Sequence, residues 1–156
     1  MKKLSYRFMV GAVLLVGLAA AGPVRAEQPL TTSDEMKWVD GPASLRPGSQ
    51  YVILEGDPKK PGPFTMRIKV PAGYKFLPHR HPAVEHATVI SGSLNMMMGE
   101  DLDPKKAKYL PAGSFILIPA ETKHASWTDE GVVIQVHGVG PWMINYCDPK
   151  DDPRNQ

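Results

Sequence analysis

Between Tyr51 and His137 the chain repeatedly runs five to seven strand-like residues into a Gly or Pro break, and this rhythm constrains the fold most. Phe64, Met66, Ile68 and Val70 alternate with Thr65, Arg67 and Lys69, the period of two of a half-buried strand. Further runs lie at Tyr51–Glu55, Glu85–Ile90, Leu94–Met98, Ser114–Ile118, His124–Thr128 and Val132–His137. Breaks fall at 56–62, Pro71-Ala72-Gly73, Ser91-Gly92, Asp101–Pro104, Pro111-Ala112-Gly113, Pro119 and Glu130-Gly131. Short strands at this spacing, with almost no helical periodicity, predict an all-β sandwich or barrel. The apolar strands exclude a disordered Pro-rich chain.

Residues 1–26 read as a cleaved signal peptide. Lys2, Lys3 and Arg7 form a positive start, Phe8 to Ala21 an apolar run, and Val24-Arg25-Ala26 places small residues at the two cleavage positions. The run is shorter than the roughly 20 residues a bilayer demands, so no stable membrane anchor is expected after cleavage. The expected location is periplasmic or secreted. Removing this segment leaves 14 basic residues against 16 acidic ones, so a formal charge of +2 becomes −2. With no basic stripe, nucleic-acid binding is excluded as a function class.

Residues 27–50 read as an irregular arm, with a short helix near Ser33 to Trp38 that Ser33 or Thr32 can cap. Residues 51–148 form the barrel and 149–156 a tail. Cys147 is the single cysteine, so no internal disulfide exists, and it reads as a partly buried small apolar residue.

Four of the five histidines crowd around two short segments. In extended chain His79 and His81 share a face, and Glu85 has the same parity. Two imidazoles and a carboxylate suit Mn, Fe, Co, Ni or Zn. His124, after the break at Pro119, can bring a third imidazole from a neighbouring strand, leaving coordination positions open.

These segments resemble the two motifs of the cupin superfamily. Gly73, His79, His81, Glu85 and Gly92 match every fixed position of G-x5-H-x-H-x3-E-x6-G. Gly113, Pro119 and His124 match G-x5-P-x-G-x2-H-x3-N, with Glu121 in place of its last Gly and Thr128 in place of its Asn. The resemblance covers Gly73 to Thr128 and implies a double-stranded β-helix (jelly-roll) barrel, commonly a homodimer. It implies one divalent transition metal on His79, His81, Glu85 and His124, with Fe or Mn preferred over Zn, Ni, Co or Cu. The departure at Glu121 implies a differently shaped turn before His124.

Among the remaining candidates, His86 has the opposite parity to Glu85 and is expected to face away from the metal. Val133, Gln135 and His137 share a strand face; if it looks inward, Gln135 and His137 orient a ligand or touch substrate. Met96, Met97 and Met98 read as core packing, since alternation keeps them from converging on one ion. Trp127 and Trp142 read as barrel-end filling, with lining of a pocket mouth as the alternative. A cupin barrel hosts several activities. The expected function is metal-dependent chemistry on a small organic molecule, of dioxygenase or oxidoreductase type, with isomerase chemistry as a variant and Glu85 able to act as a base. The alternative is a non-catalytic metal- or ligand-binding sensor module of the cell envelope.

Overall fold

Alternating apolar residues and Gly/Pro breaks become ten antiparallel strands in the computed structural model, which describes residues 30–156. The expected leader, residues 1–26, lies outside the described residues. The strands are β1 (Val39–Asp40), β2 (Gln50–Glu55), β3 (Gly62–Val70), β4 (Lys75–Arg80) and β5 (Glu85–Met98). They continue as β6 (Lys108–Pro111), β7 (Phe115–Ile118), β8 (His124–Trp127), β9 (Val132–Gly140) and β10 (Asn145–Tyr146). The pairing order β1-β2-β3-β9-β5-β8-β4-β10, with β6 and β7 also on β5, curls into the all-β barrel read from the sequence. No helix among the described residues is long and apolar enough to cross a membrane.

β5 is the corner of the barrel. Its first half pairs with β7 and β9, and its second half with β6 and β8. The break expected at Ser91-Gly92 is instead a bulge within one continuous strand, where the register with β9 shifts between Val89 and Ser91. An extra residue in a strand reverses which side chains face inward. Accordingly Glu85, Ala87 and Val89 are buried before the bulge, and Leu94 and Met96 after it. Gly92 sits at φ +71°, and a Cβ there would collide with the Gly131 carbonyl oxygen, so only glycine turns this corner.

The core fills the space between the two halves. Phe64, Met66, Ile68 and Val70 from β3 meet Val132, Ile134 and Val136 from β9 and Ile116 and Ile118 from β7.

Four further sequence expectations are corrected. The short helix near Ser33 to Trp38 is only a turn at Ser33–Glu35. Thr32 N and Oγ1 both donate to Glu35 Oε2, so a cap-like contact forms, but Gly41 and Pro42 leave too few residues to repay helix nucleation. The arm is not wholly irregular either: β1 pairs with β2, Leu45 is buried, and the Tyr74 and Tyr146 hydroxyls donate to Arg46 and Ser44 carbonyls. Of the methionine run only Met96 is core, since Met98 is exposed, and Cys147 is exposed as well.

Candidate metal centre

His79 leaves β4 and His124 begins β8, and the antiparallel register sets them directly opposite each other. His81 follows one residue beyond β4, on the same inward side as His79. The three imidazoles each offer a ligand atom within 4.8 Å of the others, and all three residues are buried. This is the cluster anticipated from the spacing.

Backbone carbonyls fix how the rings are used. His79 Nδ1 donates to Leu77 O at 2.7 Å, His81 Nδ1 to Met143 O at 2.8 Å, and His124 Nδ1 to Thr122 O at 2.9 Å. A carbonyl only accepts, so each Nδ1 carries the proton and each neutral ring presents its Nε2 lone pair. Neutrality follows from burial, which holds the His79 pKa well below its ordinary value, takes His81 down to about 3 and lowers His124. Mutual proximity adds to this at His79 and His81, through His124 in both cases, against the opposing pull of the backbone carbonyls. Three neutral donors with fixed tautomers are the arrangement a borderline divalent ion requires, so the residues fit the metal their pattern implies.

Glu85 opens β5 on the inward face, with Oε2 3.1 Å from His81 Nε2. Burial pushes its carboxyl up to about 7, with a smaller opposing influence from Trp142. Since His81 Nε2 is a lone pair, the short contact is a hydrogen bond from a protonated carboxyl. A proton therefore holds the two groups together where a cation can replace it.

Trp142, offered by the sequence as barrel-end filling or as a pocket-mouth residue, borders the triad. Its ring stacks on His81 with centroids 4.5 Å apart and planes 24° from parallel. Its indole N–H is buried without a partner of proper hydrogen-bond geometry, so its effect on Glu85 is a weak dipolar one. The triad, Glu85 and Trp142 line a cavity of about 40 Å³ whose remaining wall is almost entirely hydrocarbon. That is room for an ion and very few further ligand atoms. Beyond Leu45, Ile68, Trp142 and Ile144, which line both spaces, lies a cleft of about 560 Å³.

Gln135 and His137 do not reach the centre, and this corrects their expected supporting role. Val132, Ile134 and Val136 take the inward positions of β9, so the alternate residues face outward. There Gln135 accepts from Arg67 Nε at 3.1 Å, and His137 stacks on His86 at 4.9 Å. His86 faces away from the triad, in accord with its parity.

The second motif's departures are accommodated locally. Glu121 has φ 60°, the left-handed conformation a glycine would serve, so the turn keeps that backbone shape despite the side chain. Its N–H donates to His81 O at 2.8 Å. Thr128 is fully buried, and its Oγ1 accepts from Gly131 N at 3.0 Å, tying the turn that follows β8.

A double-sheeted barrel enclosing this histidine triad is a cupin. Within that class, the chain belongs to the ChrR cupin-like domain family, which matches residues 26–142. Solved structures agree on the fold. The polyketide cyclase RemF from Streptomyces resistomycificus superposes with a TM-score of 0.64 at 16% identity, covering 82% of this chain and 91% of RemF. An acetylacetone dioxygenase from Acinetobacter johnsonii gives 0.61 at 19% identity, covering 82% and 83%. KdgF from Halomonas sp. gives 0.56 at 19% identity, covering 73% and 96%. No curated protein matches the sequence.

Proposed function

We propose that this chain is an exported, metal-dependent cupin enzyme acting on a small organic molecule by dioxygenase-type chemistry. The observation that carries the reading is the set of three buried imidazoles whose Nδ1 atoms are all bound to backbone carbonyls, leaving three Nε2 donors converging. Glu85 is the fourth donor in this reading. Iron or manganese held there supplies Lewis acidity towards substrate oxygens and the electron steps that oxygen chemistry needs.

The chain's own groups prepare the site. The carbonyls of Leu77, Thr122 and Met143 hold the rings in one tautomer. In the metal-free chain the Glu85 carboxyl holds its proton up to about pH 7, and it gives that proton up to become a donor to the metal. The hydrocarbon wall excludes bulk water, which strengthens each polar interaction inside. Similarity in fold to an acetylacetone dioxygenase supports the class of chemistry as a starting point. The exported location rests on the leader-like sequence of residues 1–26. A homodimer belongs to the same reading, with exposed Phe115 and Leu117 on β7 as available surface.

Oxygen uptake by Fe(II)-loaded protein with acetylacetone and other small enols and catechols tests the activity. The expected result is turnover that His124→Ala abolishes. Saturable binding of such compounds with no turnover under any metal would favour a second reading, a non-catalytic sensor module. The small volume at the triad is the observation on that side.

A further inference from the structure

The cavity at the histidines holds little more than an ion, whereas the cleft behind Trp142 falls within the roughly 300–1,000 Å³ of small-molecule sites. We infer that this cleft is the binding site for a largely apolar organic anion, and that Trp142 is the contact through which that molecule meets the metal centre. The inference rests on the metal-dependent reading above and names the ligand class and its place.

Three observations carry it. First, Trp142 forms part of the wall of both spaces and stacks on His81, so one side chain touches the cleft and a candidate metal ligand. The adjacent Met143 supplies the carbonyl that His81 Nδ1 donates to, and its residue also lines the cleft. Second, the indole N–H of Trp142 is buried and lies near enough to Glu85 to act on its carboxyl, yet makes no hydrogen bond of proper geometry. Buried donors are ordinarily satisfied, and an acceptor oxygen on a bound molecule would satisfy this one. Third, the cleft has an apolar body and a positive rim. Tyr51, Ile53, Met66 and Ile144 form hydrocarbon and aromatic walls. At the rim Asp57 is shared between Lys60, 3.3 Å away, and Lys59, whose charge also acts on it, and Arg154 is paired with Asp152, so one positive charge is left over among these groups. Unpaired positive charge beside apolar walls selects an organic anion over a neutral or cationic compound.

The test uses the metal-loaded full chain with two fluorescent probes, anionic 1-anilinonaphthalene-8-sulfonate and neutral N-phenyl-1-naphthylamine. The expected result is one anionic probe per chain, with energy transfer from tryptophan that Trp142→Phe diminishes. Ile53→Glu sets a negative charge on the cleft wall, which repels the anionic probe and is expected to weaken it by about tenfold or more. Ile53 is 42% exposed and lies outside the triad, so metal content and circular dichroism should stay those of the wild type. Lys59→Gln, at an exposed position, should weaken the anionic probe by about threefold and leave the neutral one unchanged. Unaltered anionic binding in folded Ile53→Glu would overturn the location, and equal affinity for both probes in wild type would overturn the ligand class. Stoichiometric metal with no cleft binding defeats this inference alone. Cleft binding by a chain that takes up no metal defeats the metal reading instead.

Discussion

Replacing Glu85 with Gln removes the one carboxyl group lining the central cavity while keeping its shape and its ability to donate to His81 Nε2. The consequence depends on pH with a definite sign. The folded carboxyl titrates near 7 against an ordinary 4.5. A raised carboxyl pKa means the folded state holds its proton more tightly. Its contribution to stability is therefore complete below pH 4.5 and is lost as pH rises through about 7. With each unit worth about 1.4 kcal/mol, ionising Glu85 by pH 8 costs metal-free protein on the order of 3 kcal/mol. Glutamine has no such proton to lose. Metal-stripped Glu85→Gln should thus be more stable than wild type at pH 8 by up to about 3 kcal/mol, and within about 1 kcal/mol of it at pH 5. The same change deletes an anionic donor, so affinity for Fe(II) or Mn(II) should fall by about tenfold or more. Urea denaturation of chelator-treated proteins at both pH values, with metal titrations alongside, reads both quantities. A variant less stable than wild type at pH 8 that binds metal normally would refute the reasoning and leave Glu85 a purely structural hydrogen-bond partner.

Gly92→Ala should destabilise the fold by several kcal/mol, about 3 or more, because the new Cβ meets the Gly131 carbonyl at a positive φ; thermal unfolding measures it. Glu121→Gly should raise stability by about 1 kcal/mol, since a left-handed backbone at φ 60° strains any residue with a Cβ, and denaturant midpoints will show the sign. Gln135→Ala and His137→Ala should leave metal stoichiometry and affinity unchanged, as both side chains lie on the outer face of β9; altered affinity in either would mean the inner face has been misassigned.

The triad was legible in the sequence because its chemistry is written in local spacing. His79 and His81 are two residues apart at the end of β4, Glu85 has the same parity and opens β5 after the bend at Pro82 and Ala83, and the turn at Pro119 delivers His124 to a strand paired with β4. Their supporting acceptors were not legible. Leu77, Thr122 and Met143 act through backbone carbonyls, which every residue type possesses. The stacking of Trp142 on His81 was not legible because it spans 61 positions and depends on how the chain turns after β9. Gln135 and His137 were offered an inward face that Val132, Ile134 and Val136 occupy; the more apolar of two alternating sets was the signal available. The Ser91-Gly92 break misled for a physical reason. Glycine there does not end the strand but bends it, and the bulge inverts the inward parity between Val89 and Leu94.

The central claim is that His79, His81 and His124 hold one divalent transition metal, and elemental analysis of protein isolated from its native compartment tests it most directly. The expected result is about one transition-metal ion per chain, lost in a His79→Ala/His124→Ala variant that remains folded. A folded wild type that carries no metal, even after reconstitution with Fe(II), Mn(II) and Zn(II), would contradict it.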